Sequence, residues 1–156
     1  CLIDWLPKNL PSEKRTGIVH GDYSLTNVMI GKNDPNVIAI LDWELSTLGD
    51  PCADFNYHCL QYIMNPKLAD KDYCRNQGIP VIDEYVKMYS EKINVDLTEE
   101  WDLYSAYNLF KLAGILQGIL GRVRDGTAAH ENAAERASGV RNLSDKAWDL
   151  VKKNFL

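Results

Sequence analysis

The stretch 17–54 constrains the fold most, because it sets polar side chains between short apolar runs. Two of these runs, NVMIG at 27–31 and VIAIL at 37–41, are rich in β-branched residues and predict short strands. The residues between them, KNDPN, are turn formers. The pattern therefore predicts a β-hairpin with polar residues at its open end.

The register of this hairpin decides which polar side chains meet. If Gly31 lies opposite Ile38, then Asn27 falls opposite Asp42, and opposed side chains lie about 4.5–5.5 Å apart at Cβ. An amide oxygen and a carboxylate would then converge, and hard oxygen ligands of this kind suit magnesium. A register shifted by one residue would instead point the two side chains to opposite faces.

The residues before the first strand have the spacing of a catalytic loop. In HGDYSLTN, Asp22 follows His20 by two residues and Asn27 follows Asp22 by five. Protein kinases use this spacing for an Asp that accepts the substrate hydroxyl proton and an Asn that holds magnesium. Asp42 follows the second apolar run, where kinases place another magnesium ligand. We expect Asp22 to be the catalytic base, and Asn27 and Asp42 to bind Mg²⁺ and, through it, ATP.

The motifs HGDYSLTN, ILDWE and LGDPCAD together resemble the aminoglycoside/choline phosphotransferase family, which shares the protein-kinase-like fold. GIVHGDY, VIAILDWELSTLGDP and LFKLAGILQG are similar to the phosphotransferase-like domain fused to acyl-CoA dehydrogenases in animals and to its free-standing bacterial relatives. Ser24, Leu25 and Thr26 depart from the His-Pro-Gly run of many aminoglycoside kinases. That departure argues against an antibiotic substrate and leaves the implied reaction class unchanged.

The resemblance also implies supporting roles around the loop. His20 is expected to hold the loop in place, and Asp54, in the DPxxD motif, to brace it by hydrogen bonds to the loop backbone. A carboxylate favoured by the helix dipole is an equal alternative for Asp54. Glu44 is either a supporting carboxylate or a solvated charge. Tyr23 and Trp43 are expected to pack around the loop.

Composition and cysteine usage exclude several classes of function. The net charge of −5 argues against nucleic acid as a partner, and no apolar run reaches the roughly 18 residues of a membrane helix. Cys1, Cys52, Cys59 and Cys74 form no CxxC pair, so they are expected to be free thiols in a reducing compartment. Cys52, His58 and Cys59 lack the fourth ligand of a metal site. We expect an intracellular protein, cytoplasmic or, within a dehydrogenase fusion, mitochondrial or peroxisomal.

Apolar periodicity and capping signals predict helices after the polar stretch. They are expected at 51–64 with Asp50 as N-cap, at 79–93, from Thr98 through Val123 and at about 131–154, with a loop over 65–78. Ahead of the polar stretch, a first helix is expected to be ended by Pro7 and Pro11 and to be followed by a strand at GIVH.

Glycines interrupt the longest predicted helix. Gly114, Gly118 and Gly121 each cost about 1 kcal/mol relative to Ala in a helix interior, so a closely packed neighbour is expected there. Arg122 and Arg124 are expected to be solvated charges at the end of this helix; contact with a coenzyme A phosphate is the alternative.

The order of elements predicts an α+β fold, mostly helical, with one small hairpin at the site. Residues 1–156 are expected to form a single domain, the C-terminal lobe of the kinase-like fold that carries the catalytic loop. The sequence contains no glycine-rich phosphate loop or strand lysine. The N-terminal nucleotide-binding lobe is therefore expected to be missing from this chain, which begins without Met.

The resulting functional hypothesis is transfer of the ATP γ-phosphate to the hydroxyl of a small molecule. The dehydrogenase-fused relatives imply a hydroxyacyl-CoA-like acceptor, and a fused acyl-CoA dehydrogenase domain as a partner. Two alternatives remain open at this point: an inactive pseudokinase or docking module of such a fusion, and a helical interaction domain.

Overall fold

The computed structural model describes residues 2–10, 15–127 and 138–156, and within them the chain is mostly helical. The predicted class, α+β with a small hairpin, is confirmed. The helices and strands are α1 (Leu2–Asn9), β1 (Gly17–Val19), β2 (Val28–Ile30), β3 (Val37–Ile40), β4 (Thr47–Gly49), α2 (Pro51–Cys59), α3 (Gln61–Met64), α4 (Pro66–Ala69), α5 (Lys71–Asn76), α6 (Ile82–Ile93), α7 (Trp101–Arg124) and α8 (Val140–Phe155). Short 3₁₀ turns at Leu25–Asn27 and Trp43–Leu45 lead into β2 and β4.

The strands form two separate antiparallel ribbons. One is the predicted hairpin of β2 and β3. In the other, β1 pairs with β4, with Ile18 opposite Leu48. The sequence did not predict this second ribbon, because three residues of β4 are too few to show an alternating pattern. β1 also contacts α2, so the ribbon brings the loop at 20–27 close to the start of that helix.

The register of the β2–β3 hairpin differs from the prediction. The N–H of Gly31 donates to the carbonyl of Asn36 at 3.0 Å, so Gly31 does not lie opposite Ile38. Between Met29 and Ile30 the pairing jumps from Ala39 to Val37, a β-bulge that skips Ile38. At Gly31 the observed partner, Asn36, is two residues away from the predicted partner, Ile38. The bulge takes up one of these two residues, so at the open end of the hairpin the pairing differs from the prediction by one residue.

The residues described in 11–101 form one of two compact units and contain both ribbons and α2–α6. Phe55 of α2 stacks on Tyr89 of α6, with ring centroids 3.8 Å apart. Capping fixes the start of α2 as predicted, because Asp50 accepts the N–H of Cys52 at 2.9 Å and Pro51 occupies the first turn. The buried apolar residues here include Cys52, Phe55, Cys59, Leu60, Cys74, Val81, Val86 and Leu97.

An arginine ties distant parts of this unit together. The guanidinium of Arg15 pairs with the carboxylate of Asp50, with Nη2 2.9 Å from Oδ2, and with the buried carboxylate of Glu100. Asp50 therefore serves both as the cap of α2 and as half of an ion pair. The start of α2 is thereby held to the segment before β1 and to the segment before α7.

The second compact unit comprises the described residues of 1–10 and 102–156, and contains α1, most of α7 and α8. Trp5 of α1 and Phe155 of α8 are in ring contact, with centroids 5.5 Å apart. None of the helices that the structure describes is both long and apolar enough to cross a membrane. The buried apolar residues include Leu2, Leu6, Leu103, Tyr104, Ala106, Leu109, Ala113, Leu143, Ala147 and Val151.

The prediction that Pro7 ends the first helix is wrong. α1 contains Pro7 and continues to Asn9. A proline removes one N–H donor from the helix, but the following turn is still closed, since Leu10 donates to the carbonyl of Leu6 at 3.0 Å. Pro11 lies outside the described residues.

The predicted loop over 65–78 is also wrong, because α4 and α5 lie within it. Asn65 caps α4 by accepting the N–H of Lys67 at 3.0 Å, and Asp70 caps α5 by accepting that of Asp72 at 2.9 Å. Helices this short carry almost no apolar periodicity, so caps were the only signal available.

The long helix α7 begins later than predicted, and Thr98 does not cap it. The N–H and hydroxyl of Thr98 donate to Asp96 Oδ1 at 2.9 and 2.7 Å, which forms a turn ahead of the helix start at Trp101. At the other end of the chain, α8 is described from Val140, and the predicted helical residues 131–137 lie outside the described part.

The glycines of α7 do not mark a close neighbour among the described residues. A Cβ added at Gly114, Gly118 or Gly121 would meet none of their atoms within 4 Å. The prediction of a tightly packed partner at these positions is therefore not supported. Arg124 at the end of this helix is largely exposed and pairs only with the neighbouring Asp125 within the described chain.

Replacement of Gly114 or Gly118 by alanine should raise the free energy of unfolding by about 1 kcal/mol, because alanine is the better helix former and the added methyl group meets open space. Urea denaturation followed by circular dichroism measures the change. Gly126→Ala is the matched control: it too has no described atom within 4 Å, but its φ is +69°, so alanine there should destabilise. A loss of stability at 114 or 118 would instead indicate a packed neighbour.

Candidate active site

The loop between β1 and β2 is anchored on α2 by one carboxylate. Asp54 accepts the backbone N–H of Gly21 at 3.0 Å through Oδ1 and that of His20 through Oδ2. Both loop residues are buried, so water does not replace this acceptor. The contact expected between Asp54 and the loop backbone is thus present, and its importance for catalysis stays a prediction.

The side chain of His20 links the loop to the end of β3. Its Nε2 lies 2.7 Å from the carbonyl oxygen of Leu41, and its Nδ1 lies 3.2 Å from the backbone nitrogen of Asp22. A carbonyl only accepts and an N–H only donates, so Nε2 carries the proton and Nδ1 accepts. The ring also packs against Trp43, with centroids 4.7 Å apart, and against Tyr23 at 6.2 Å. Both ring nitrogens are occupied, which fits a role in holding the loop.

Gly21 lets the loop pass directly beside the chain that follows β3. Its φ is +86°, a conformation that favours glycine. A Cβ at this position would overlap the carbonyl oxygen of Leu45. The glycine is therefore required both by the turn and by the close approach of the two backbones.

The predicted residues Asp22 and Asn27 lie in direct contact. The Asn27 Nδ2 atom is 2.9 Å from the backbone oxygen of Asp22 and 3.2 Å from its Oδ2. Both Asp22 atoms are acceptors, so the amide nitrogen must face them and the amide oxygen must point elsewhere. No hydrogen bond to that oxygen is formed by the described residues. Burial and, after it, the nearby charge of Asp22 raise the pKa of the Tyr57 hydroxyl to about 12.

The structure differs from the prediction at Asp42. The N–H of Leu41 donates to the carbonyl of Asn27 at 2.8 Å, so Asn27 lies opposite Leu41 and the predicted pairing with Asp42 is wrong by one residue. The expected consequence, side chains on opposite faces, does not follow, because Asp42 leaves the strand in a left-handed conformation with φ 66° and ψ 55°. Strand alternation stops there, and register no longer sets the direction of the side chain.

The side chains of Asp42 and Glu44 are both exposed. Neither forms a hydrogen bond or ion pair with the part of the chain that the structure describes. Asp42 thus presents an unpaired carboxylate beside the cross-strand partner of Asn27. Glu44, in the 3₁₀ turn, shows no contact that would support the loop, and its supporting role stays a prediction.

The cysteines lie away from this chemistry. Cys52, Cys59 and Cys74 are free and buried, while Cys1 is outside the described residues. Burial, with the charge of Asp50 nearby, raises the pKa of Cys52 to about 12, and burial raises the pKa of Cys59 further. Both thiols therefore stay protonated and unreactive at neutral pH. Among residues 2–10, 15–127 and 138–156, no group of three or more His, Cys, Asp or Glu is placed to hold a metal.

Tyr57 lies near the charge of Asp22, a position that the sequence did not predict. It lies on α2 three residues after Asp54, and residues at this spacing share one face of a helix. Once Asp54 was expected to face the loop, this spacing could have placed Tyr57 near the loop as well.

The chain belongs to the phosphotransferase enzyme family, whose sequence pattern it matches over residues 1–107. It also superimposes with a TM-score of 0.87 on a crystal structure from Ralstonia eutropha named a "putative aminoglycoside phosphotransferase". The two are 40% identical, over 99% of this chain and 49% of that one. The kinase-like fold predicted from the motifs is thereby confirmed.

The chain is also similar to parts of longer proteins. The chain is 38% identical to acyl-CoA dehydrogenase family member 10 of Mus musculus, over 97% of this chain and 15% of that protein. It is 33% identical to member 11 of Homo sapiens, over 99% of this chain and 20% of that protein. The predicted resemblance to dehydrogenase-fused proteins is confirmed, and the chain spans a fifth or less of these relatives.

Asp54→Ala should lower the free energy of unfolding by about 2–4 kcal/mol, because two buried N–H groups lose their acceptor. Chemical denaturation measures the loss. Glu44→Ala removes an exposed carboxylate without a described partner and should change stability by less than about 0.5 kcal/mol. Equal effects of the two substitutions would contradict the anchoring role of Asp54.

Proposed function

We propose that this chain forms the substrate-side part of an enzyme that transfers the γ-phosphate of ATP to a hydroxyl group of a small molecule. Membership of the phosphotransferase family supports the reaction class. The observation that carries the proposal is the contact between Asp22 and Asn27, in which the amide nitrogen of Asn27 holds both the backbone and the carboxylate of Asp22. This contact orients a proton acceptor and leaves an amide oxygen for a metal.

In the proposed step the substrate oxygen forms a bond to the γ-phosphorus. The bond from that phosphorus to the β–γ bridging oxygen breaks, and ADP leaves with the electron pair. The hydroxyl proton passes to the carboxylate of Asp22. Since the transition state of such transfers is loose, the contribution of Asp22 is mainly to orient the hydroxyl in line with the leaving oxygen.

Asn27 and Asp42 are proposed to hold Mg²⁺, which would neutralise charge on the phosphates. The donor chemistry fits this ion. The amide oxygen of Asn27 is turned away from Asp22, and the carboxylate of Asp42 has no partner in the described chain. Magnesium accepts a small number of protein oxygens and completes its shell with phosphate and water.

The parts that bind the nucleotide phosphates in kinases, a glycine-rich loop and a strand lysine, do not occur in this sequence. We propose that a separate N-terminal lobe supplies them. The hairpin supports this, because Met29, Ile30, Val37 and Ile38 are all large apolar residues exposed on it. Clustered exposed apolar residues mark a surface that another part covers. The Ralstonia relative, about twice as long as this chain, has room for such a lobe.

The proposed acceptor is a hydroxyacyl-CoA-like molecule. Similarity to acyl-CoA dehydrogenase family members extends over almost the whole chain. The Ser24–Leu25–Thr26 segment, which differs from many aminoglycoside kinases, begins two residues after Asp22 and supports a non-antibiotic acceptor. Phosphorylation of amino sugars alone, in a panel that includes hydroxyacyl-CoA compounds, would contradict this assignment.

Asp22→Asn in the complete gene product should lower kcat by a factor of about 10²–10⁴, because the substituted amide cannot accept the hydroxyl proton. ADP release with a panel of hydroxyl acceptors measures the rate. Asp72→Asn, which changes an exposed carboxylate outside the site, is the control and should leave kcat unchanged. If Asp22→Asn changed no activity of the protein, the docking-module alternative would replace the kinase.

Asp42→Asn should remove most of the stabilisation that Mg²⁺ and ATP together give the complete protein, because a neutral amide binds magnesium more weakly than a carboxylate. Thermal-shift titration measures this; a ligand at a hundred times its Kd adds about 2.7 kcal/mol of stability. Glu44→Gln, at the other exposed acid of the same segment, should retain the shift. An equal magnesium-dependent shift in Asp42→Asn and the unaltered protein would exclude Asp42 as a ligand.

A further inference from the structure

We infer that His58 is a positioning residue for the proposed reaction: its ring packs against Tyr23 and thereby fixes the loop on the C-terminal side of Asp22. The inference rests on the proposed function, and it adds a second contact between α2 and the loop to the one that Asp54 makes.

The helix α2 contacts the loop at two points that lie one turn apart. Asp54 and His58 are four residues apart, a spacing that places two side chains on one face of a helix. Asp54 accepts the backbone N–H groups of the two residues before Asp22. The ring of His58 contacts that of Tyr23, the residue after Asp22, with centroids 5.5 Å apart. The loop is therefore supported on both sides of Asp22 by the same helix face.

A contact with α6 fixes the ring of His58 in turn. Its Nε2 atom lies 3.2 Å from the hydroxyl oxygen of Tyr85, and the two rings meet edge to face with centroids 5.8 Å apart. Burial lowers the pKa of His58 and raises the pKa of Tyr85. The imidazole is therefore neutral and the hydroxyl protonated at neutral pH, so the two groups can stay hydrogen-bonded without placing a charge in the cluster.

The position of Tyr23 depends on its two ring contacts. Its hydroxyl forms no hydrogen bond within the part of the chain that the structure describes. One ring contact is with His20, at a centroid distance of 6.2 Å, and His20 belongs to the same loop. The other, with His58, connects Tyr23 to a helix outside the loop. Loss of the His58 ring should therefore let Tyr23 move, and with it the backbone of Asp22.

The first test is kinetic, in the complete gene product. His58→Ala removes the ring that packs against Tyr23, and kcat should fall by a factor of about 10–10², because a small misplacement of a reacting group has effects of this size. KM for ATP should not change, since the ring contacts and the hydrogen bond of His58 reach neither proposed metal ligand. His58→Phe keeps an aromatic ring at this position and should recover most of the lost rate.

Tyr62→Ala is the matched control. The ring of Tyr62 also contacts Tyr85, with centroids 6.4 Å apart, and its hydroxyl donates to the carbonyl of Pro80 at 2.8 Å. Its removal should destabilise the protein much as His58→Ala does, but kcat per folded molecule should be unchanged. An unchanged kcat in His58→Ala, or equal losses of kcat in the two variants, would overturn the inference.

The second test does not depend on activity. Histidine labelled with ¹⁵N in the complete gene product gives ring resonances that respond to hydrogen bonding, and single substitutions assign those of His20 and His58. Tyr85→Phe, which removes only a hydroxyl, should shift the Nε2 resonance of His58. His58→Ala should shift the Nδ1 resonance of His20, because this atom lies 3.2 Å from the backbone nitrogen of Asp22 and reports on the loop. The absence of either shift would overturn the inference even in an active enzyme.

The two tests separate the possible failures. Both resonance shifts, together with a loss of kcat in His58→Ala that Tyr62→Ala does not show, support the inference. Both shifts in a complete protein that transfers no phosphate would overturn the proposed function, and with it the positioning role, while the contact itself would stand. Both shifts with an unchanged kcat in His58→Ala would overturn the positioning role alone.

Discussion

The hydrogen bonds from His20 and Gly21 to the carboxylate of Asp54 are the interaction on which the candidate site depends. The loop at 20–27 lies between two short strands of different ribbons, so neither ribbon alone fixes its path. Each buried N–H left without an acceptor would cost about 1–3 kcal/mol. By accepting both, Asp54 replaces the regular structure that the loop lacks and fixes the backbone next to Asp22.

Asp54 can hold the loop only because the start of α2 is itself fixed. Asp50 caps the helix and at the same time pairs with Arg15, whose guanidinium also reaches the buried carboxylate of Glu100. Removing one member of a buried charge network leaves the others uncompensated, which costs more than the pair contributes when intact. Charges far apart in the sequence thus determine the geometry of a loop that contains no charged residue except Asp22.

The residues of the candidate site could be singled out from the sequence because they are close together in it, while their roles stay predictions. His20, Asp22 and Asn27 lie within eight residues. The Asp-Pro pair predicts the cap and the first residue of α2, and the start of the helix in turn fixes the direction in which Asp54 points. Contacts between distant segments were harder to predict. The β1–β4 ribbon joins strands of three residues, and the position of Tyr57 near Asp22 depends on the relative placement of loop and helix. Neither leaves a periodic pattern in the sequence.

At the open end of the hairpin the predicted register is wrong by one residue. The predicted register placed Asn27 opposite Asp42, whereas the backbone places it opposite Leu41. Leu41 is held on both sides, since its N–H donates to Asn27 and its carbonyl accepts from His20.

The chain then turns at Asp42 in the left-handed region, which costs about 1–2 kcal/mol for most residues and less for Asp. Backbone strain of this kind persists where the surroundings impose it, and it is found mainly at functional sites. The turn frees the carboxylate from the alternation of the strand. The direction of the Asp42 side chain is therefore set by backbone conformation rather than by register, and a pattern of apolar residues contains no information on that choice.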